Sequence, residues 1–376
     1  MQRVFVLVGA LLLAACATAP NNIPAPPTST IVPSSPAASA MSVPEPTATL
    51  PAPPSPTPAP PSPTPLPPSP TPDPWSEYAP YTIASLRDRS YGSGNIEIVR
   101  VLDETANFTR YLFVYNSDGL RITGMLNRPR GDGPFPVVIL NHGYYPLDVY
   151  QTGNGTQRAA DYLADNGFLT LSPDFRSHAG SDDAPNLFRA GHVIDTLNLI
   201  PLAQQLSEAQ PGKVLMWGHS NGGAITAKAI TVSDQIAAAL IYAPASSNIV
   251  EDYLFRVDRR RLRGNTPPGQ RSGVIDTIDI EFPVKPEEAP DLYARLSPLN
   301  AAEYVTARVQ IIWGTNDEIV PRKWPEDLYT SLQDAGQDVE FVVYNGQPHS
   351  FDAAGNAQYL PRMVEFFRTT LAGAGA

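Results

Sequence analysis

The 376-residue chain predicts an α/β fold, a mostly parallel central sheet with helices on both faces that is entered through a few antiparallel strands. Three observations carry this expectation. From residue 137 onward, short apolar runs of strand length alternate with segments of helix length. These runs are nearly continuous in apolar residues, the pattern of strands buried on both faces. The stretch before residue 137 instead reads as strands joined by a tight polar turn.

The elements follow in chain order. Met1-Gln2-Arg3 gives a short positive start, and 4–13 is an apolar run too short to span a bilayer comfortably. The ending Leu13-Ala14-Ala15-Cys16 resembles the bacterial lipobox, so 1–16 is expected to be a lipoprotein signal peptide with Cys16 as the lipidated residue. Cys16 is the chain's only cysteine, which excludes an internal disulfide and a thiolate metal cluster. Of the 42 prolines, 22 fall in 20–74, among Ser, Thr and Ala. Such a segment has too little apolar surface to offset ordering entropy, so 17–74 is expected to be a disordered, polyproline-like linker. At about 3.1 Å per residue it would hold a domain on the order of 100 Å from a membrane. The remaining 75–376 suffices for one large α/β domain.

Within that domain, 96–103, 108–116 and 120–126 read as antiparallel strands, with Asn116–Gly119 as a turn. Strands are expected at 137–140, 168–171, 214–217, 236–242, 309–313 and 339–344. Helices are expected at 156–166, 187–208, 222–231, 324–335 and 357–371. Right-handed crossovers place the C-terminal ends of parallel strands along one edge, where sites in such sheets gather. The polar, weakly periodic 245–307 interrupts the alternation and is expected to form a partial cap over that edge.

Gly218-His219-Ser220-Asn221-Gly222 fits G-x-S-x-G, with a strand before it and a helix after it. The glycines suit a strained turn that presents Ser220 as a nucleophile; an ordinary glycine turn is the plainer alternative. Among the five histidines, His349 lies in the loop after the 339–344 strand and is the expected base. His219 is expected to pack within the turn, and His178 and His192 to be surface or loop residues. Asp317, just past the 309–313 strand, is the expected orienting acid, with Glu318 as rival and an Asx turn as the bland alternative. Asn141-His142-Gly143 follows a strand, and a glycine there lets backbone N–H groups face a developing oxyanion. The expected donors are the N–H of Tyr144 and the N–H of Asn221.

These motifs together resemble the α/β-hydrolase superfamily, and within it the prolyl oligopeptidase and dienelactone hydrolase-like groups. The resemblance covers roughly 110–370 and extends to Asp174–Ser181, Ser297-Pro298-Leu299-Asn300, Trp313–Pro321 and His349-Ser350-Phe351. It implies an α/β-hydrolase fold in which Ser220, Asp317 and His349 form the triad, with Tyr144 and Asn221 as oxyanion donors. It also implies that Asp174 and Arg176 are structural in the loop beneath the site. Two departures weaken a peptidase assignment. The segment 75–110 is too short for the propeller such peptidases often carry, and Asn221 stands where they commonly show Tyr.

The expectation is therefore a serine hydrolase that cleaves a carboxylic ester, with no metal or cofactor. A prolyl oligopeptidase-like peptidase and a non-catalytic surface-anchored binding protein are the alternatives. Its partner would be a small-molecule ester or short peptide. A net charge of −11 argues against nucleic acid, and contact with membrane is expected only through the lipid anchor, outside the cytoplasm. The run Arg256–Arg263 reads as a solvated helix face or as a basic patch that steers anionic substrates.

Overall fold

The apolar runs after residue 136 become the parallel part of a single sheet, running from its centre to one edge. The computed structural model describes residues 73–264 and 277–374. The expected leader with Cys16 and nearly all of the expected 17–74 linker fall outside them, as do 265–276 of the expected cap.

The described strands are β1 (Ser93–Glu104), β2 (Phe108–Ser117), β3 (Leu120–Pro129), β4 (Val137–Asn141), β5 (Leu169–Pro173), β6 (Val214–His219), β7 (Ile236–Tyr242), β8 (Arg308–Gly314) and β9 (Val339–Tyr344). They pair in the order β1-β2-β3-β5-β4-β6-β7-β8-β9. Pairing is antiparallel from β1 through β3 to β5 and parallel from there to β9. The hairpin between β2 and β3 turns on Asp118 and Gly119, both at positive φ, with Asn116 Oδ1 accepting the Gly119 N–H at 3.0 Å.

The helices are α1 (Ile83–Asp88), α2 (Gln157–Asp165), α3 (Ala190–Gln204), α4 (Asn221–Val232), α5 (Ile249–Gly264), α6 (Ile278–Glu281), α7 (Pro290–Leu296), α8 (Lys323–Asp334) and α9 (Ala353–Ala374). Side-chain alternation along the strands divides the core into two layers. Ile139, Met216, Ile241 and Ile311 face one side and pack with apolar residues of α1, α3, α4 and α8. Val138, Leu140, Leu215, Leu240 and Ile312 face the other and pack with α2 and α9. Every residue of β4 is buried. Truncating Leu140 or Leu240 to Ala there should cost about 2–5 kcal/mol.

The long helix expected over 187–208 is shorter, α3 beginning at Ala190 and ending at Gln204. Phe188 and Arg189 stand at φ 46° and 62°, a left-handed kink that separates a short 3-10 turn from the helix. Tertiary contacts hold that kink. Phe188 is fully buried in an aromatic cluster, and Arg189 is ion-paired to the cap.

The 245–307 insertion carries α5, α6 and α7 and has its own small core. Phe188 packs there with Ile249, Phe282, Leu292, Tyr293 and Leu296. Buried charge ties the insertion to the body, with Arg189 bonded to Glu281 at 3.3 Å and paired with Asp252 at 3.8 Å. No helix among the described residues is long and apolar enough to cross a membrane.

Candidate active site

Ser220 sits between the last residue of β6 and the first of α4, at φ 58° and ψ −119°. A serine at positive φ costs on the order of 1–3 kcal/mol and persists only where its surroundings enforce it. Here the Ser220 N–H donates to the Tyr242 carbonyl at 2.9 Å, and its own carbonyl accepts from Ala245 N–H at 3.0 Å. The glycines are required by close approach. A Cβ on Gly222 would collide with the Asn141 carbonyl, and one on Gly218 with the Gly222 carbonyl and the Thr226 hydroxyl. The turn is thus wedged against the end of β4. Asn141 reinforces the wedge, donating from Nδ2 to Thr226 Oγ1 at 2.9 Å and accepting from Thr196 Oγ1 at 3.0 Å.

His349 lies in the loop after β9, with its Nδ1 2.9 Å from Asp317 Oδ2. The Asp317 side chain has no solvent exposure. Its second oxygen accepts from the N–H groups of Ile319 and Val320 at 2.9 and 2.8 Å, which fixes the carboxylate toward the ring. Glu318 takes a different place: its Oε2 accepts the backbone N–H of His349 at 3.2 Å. Ser220 and His349 line one cavity of about 500 Å³.

His219 packs against His349 at a ring separation of 4.7 Å and against Tyr242 at 4.3 Å. Its Nε2–H donates to the His349 carbonyl at 3.0 Å. Burial, with the neighbouring His349 ring, pushes the His219 pKa down to about 3. It is therefore neutral and props the loop that carries His349.

The segment after β4 brings Gly143 beside the serine. A Cβ at Gly143 would lie 3.5 Å from Ser220 Cβ and from the His219 carbonyl oxygen. Tyr144, half exposed, follows it over the cavity. Asn221 opens α4, so its N–H has no acceptor within the helix. His142 anchors this segment from below, its Nδ1 2.7 Å from the Gly143 carbonyl and its Nε2 3.1 Å from the Asp174 carbonyl. Its ring packs on Tyr150 and Phe175, and burial pushes its pKa down to about 3.

Asp174 accepts from Thr123, Thr152 and Tyr150 hydroxyls at 2.6, 2.7 and 2.9 Å, and burial pushes its carboxyl up. Arg176 meets Asp195 through Nε and Nη2 at 3.1 and 2.8 Å. Both residues thus brace the loop below the site. His178 lies in a loop, as expected, but is buried there; His192 corrects the sequence expectation, being neither on the surface nor in a loop but buried within α3. His192 stacks on Phe175 at 4.9 Å and His178 meets its ring edge-on at 5.5 Å, so aromatic packing between distant segments accounts for them.

The basic run over 256–263 divides. Arg256 is bonded to Asp252, Arg260 pairs with Asp279 at 2.7 Å, and Arg259 lies over the Phe255 ring. Three walls of the cavity carried no signal in the sequence: Arg158 on α2, Tyr242 at the end of β7 and Tyr359 on α9. Only the assembled sheet edge brings these together, since their elements are far apart in the chain.

With this geometry in hand, the comparisons with known proteins place the fold. The model of the Alpha/beta hydrolase family matches residues 137–366. A Bacillus subtilis protein named Uncharacterized peptidase YtmA is 23% identical over 260 residues, 69% of this chain and 93% of that protein. Esterase EstD of Thermotoga maritima is 24% identical over 248 residues, 61% of this chain and 57% of the esterase. Among solved structures, acetyl xylan esterase 1 from Thermoanaerobacterium sp. superposes with a TM-score of 0.56 at 18% identity, covering 79% of this chain and 94% of that one. An acylaminoacyl peptidase from Pyrococcus horikoshii gives 0.54 at 21% identity, covering 70% and 42%. Matched along the whole of its parallel sheet, and similar in sequence to both esterases and peptidases, the chain belongs to the alpha/beta hydrolase family and is a hydrolase.

Proposed function

We propose that this chain is a serine hydrolase of carboxylic esters, with Ser220 as nucleophile, His349 as base and Asp317 as orienting acid. The observation that carries the reading is the His349–Asp317 hydrogen bond, formed in the wall of the cavity that Ser220 lines from a turn at positive φ. A proton on Nδ1 shared with a buried carboxylate leaves Nε2 free to accept. As Ser220 Oγ bonds the acyl carbon, its proton passes to His349 Nε2. The carbonyl electrons move onto oxygen, which the N–H groups of Tyr144 and Asn221 receive. The C–O bond to the leaving group then breaks while Nε2 returns the proton to the departing oxygen. Water, deprotonated by His349, attacks the acyl-enzyme, releases the acid and restores the serine.

Esters are favoured over peptide bonds because 75–110 is too short for the propeller that prolyl oligopeptidase-like peptidases often carry, and Asn221 stands where they commonly show Tyr. Relatives of both kinds exist, so the discriminating experiment is a panel of nitrophenyl esters against aminoacyl and prolyl amides, run on wild type and Ser220→Ala. Ester turnover that vanishes in Ser220→Ala supports the reading. Amide turnover exceeding ester turnover would assign a peptidase.

We also propose that Cys16 is lipidated and that the catalytic domain is held at the bacterial cell envelope, on the strength of Leu13-Ala14-Ala15-Cys16 and the proline-rich segment that follows. A Cys16→Ser protein still recovered in the membrane fraction would contradict this.

A further inference from the structure

Two cavities meet at Gly143, Tyr144 and Tyr145, which line both. His349 and Ser220 line the first, of about 500 Å³, and Asn221 lines the second, of about 360 Å³. General-acid chemistry gives the two different tasks, an argument that rests on the serine hydrolase reading above. The leaving oxygen has to lie against His349 to collect its proton, so the leaving group belongs in the first cavity. The acyl group then extends past Asn221 into the second.

The lining of the first cavity is unusual in its charge. It contains no Asp or Glu among the described residues, but it contains Arg158 in the first turn of α2. Among the described residues Arg158 has no carboxylate partner. Its neighbours around the site differ: Arg176 is held by Asp195, Arg189 by Glu281 and Arg256 by Asp252. The positive charge of Arg158 is felt by the hydroxyls of Tyr242 and Tyr359, which line the same cavity. Asn154 and Gln157 line this cavity too. In a chain of net charge −11, an arginine left without an acidic partner facing a catalytic cavity is a selective feature. Its planar fork suits a carboxylate better than a neutral group.

We propose that Arg158 binds a carboxylate on the leaving group, so that the preferred substrates are esters of hydroxycarboxylic acids. Ser220 takes the acyl group, His349 protonates the departing oxygen, and Arg158 holds the acid at the far end of that alcohol.

The test is a matched pair, 4-acetoxybenzoate and its methyl ester, which share the acetyl group and differ in whether the leaving group is an anion; acetate release is followed, so cleavage of the methyl ester bond is not counted. Each kcat/KM is divided by the rate of hydroxide-catalysed hydrolysis of the same compound. The expected ratio, anionic over neutral, is about tenfold at low ionic strength, falling as salt screens the pair. Arg158→Ala should bring the ratio close to one and remove its salt dependence, while Arg158→Lys keeps part of both. A second pair, mono-4-nitrophenyl glutarate and 4-nitrophenyl pentanoate, puts the charge on the acyl side, where Arg158→Ala should leave the ratio unmoved. A wild-type ratio of one or less, a ratio indifferent to Arg158→Ala, or an effect confined to the glutarate would overturn the proposal while leaving the hydrolase reading standing. Failure of the wild type to turn over any of the four compounds, together with no fluorophosphonate adduct, would remove the hydrolase reading and this proposal with it.

Discussion

Replacing Asp317 with asparagine separates the roles of its two oxygens. Oδ1 accepts two backbone N–H groups, from Ile319 and Val320, and Oδ2 accepts from His349 Nδ1. Asparagine has one carbonyl oxygen, and the two backbone donors hold it where Oδ1 is now. Its NH2 group then faces Nδ1. Two donors cannot face each other, so the ring shifts its proton to Nε2, where it can no longer take the proton of Ser220. Loss of the tautomer alone should lower kcat by about 10⁴, or roughly 5.5 kcal/mol at 1.36 kcal/mol per decade. The loop keeps its two backbone bonds, so the melting temperature should move by only about 2 °C. Glu318→Gln is the internal control, because Glu318 meets only the backbone N–H of His349. It should retain activity within about tenfold, in line with one hydrogen bond weakened away from the reacting atoms. Hydrolysis of 4-nitrophenyl acetate, followed alongside thermal unfolding, reads both quantities. An Asp317→Asn enzyme within tenfold of wild type, or a Glu318→Gln enzyme as impaired as Asp317→Asn, would refute this assignment.

Two further outcomes follow from the packing. Gly222→Ala drives a methyl into the Asn141 carbonyl and should lower the melting temperature by at least about 5 °C, checked by calorimetry. Lys228 is buried in α4 with a single 3.5 Å contact to the Phe188 carbonyl, and burial, with Arg189 nearby, pushes its pKa down to about 7. The unfolded chain therefore holds this proton between about pH 7 and its ordinary value of 10.5 while the folded chain has released it, so this group makes stability rise with pH across that window. Lys228→Met should stabilise the fold by a few kcal/mol at pH 6 and by much less at pH 10, as denaturant titrations at the two pH values would reveal. An equal gain at both would contradict it.

Much of the architecture was legible in the sequence because it is encoded locally. The runs at 137–140, 214–217 and 236–242 are apolar on both faces, and they became the interior strands of the sheet. The strand–Ser–helix turn is likewise written in adjacent residues. The start of α3 was not legible, because Phe188 and Arg189 take left-handed conformations that only the aromatic cluster and the cap's carboxylates enforce. For the same reason the burial of His178 and His192 was not legible: the Phe175 ring that packs on His192 belongs to a different element. Asp317 was preferred to Glu318 from its place just past a strand, and the structure sets the Asp317 carboxylate, not that of Glu318, against the His349 ring. What the sequence could not show is that the Ile319 and Val320 N–H groups hold that carboxylate in place. Arg158 gave no sign at all, since an arginine in the first turn of a helix is ordinary until the start of α9 and the end of β7 line the same cavity.

The central claim is that Ser220 is a nucleophile activated by His349 and Asp317. Treatment with a fluorophosphonate, followed by peptide mass mapping, measures this directly. The account predicts one adduct per chain, on the peptide containing Ser220, lost in Ser220→Ala and formed far more slowly in His349→Ala. Labelling at another serine, or no labelling of a folded protein, would contradict it.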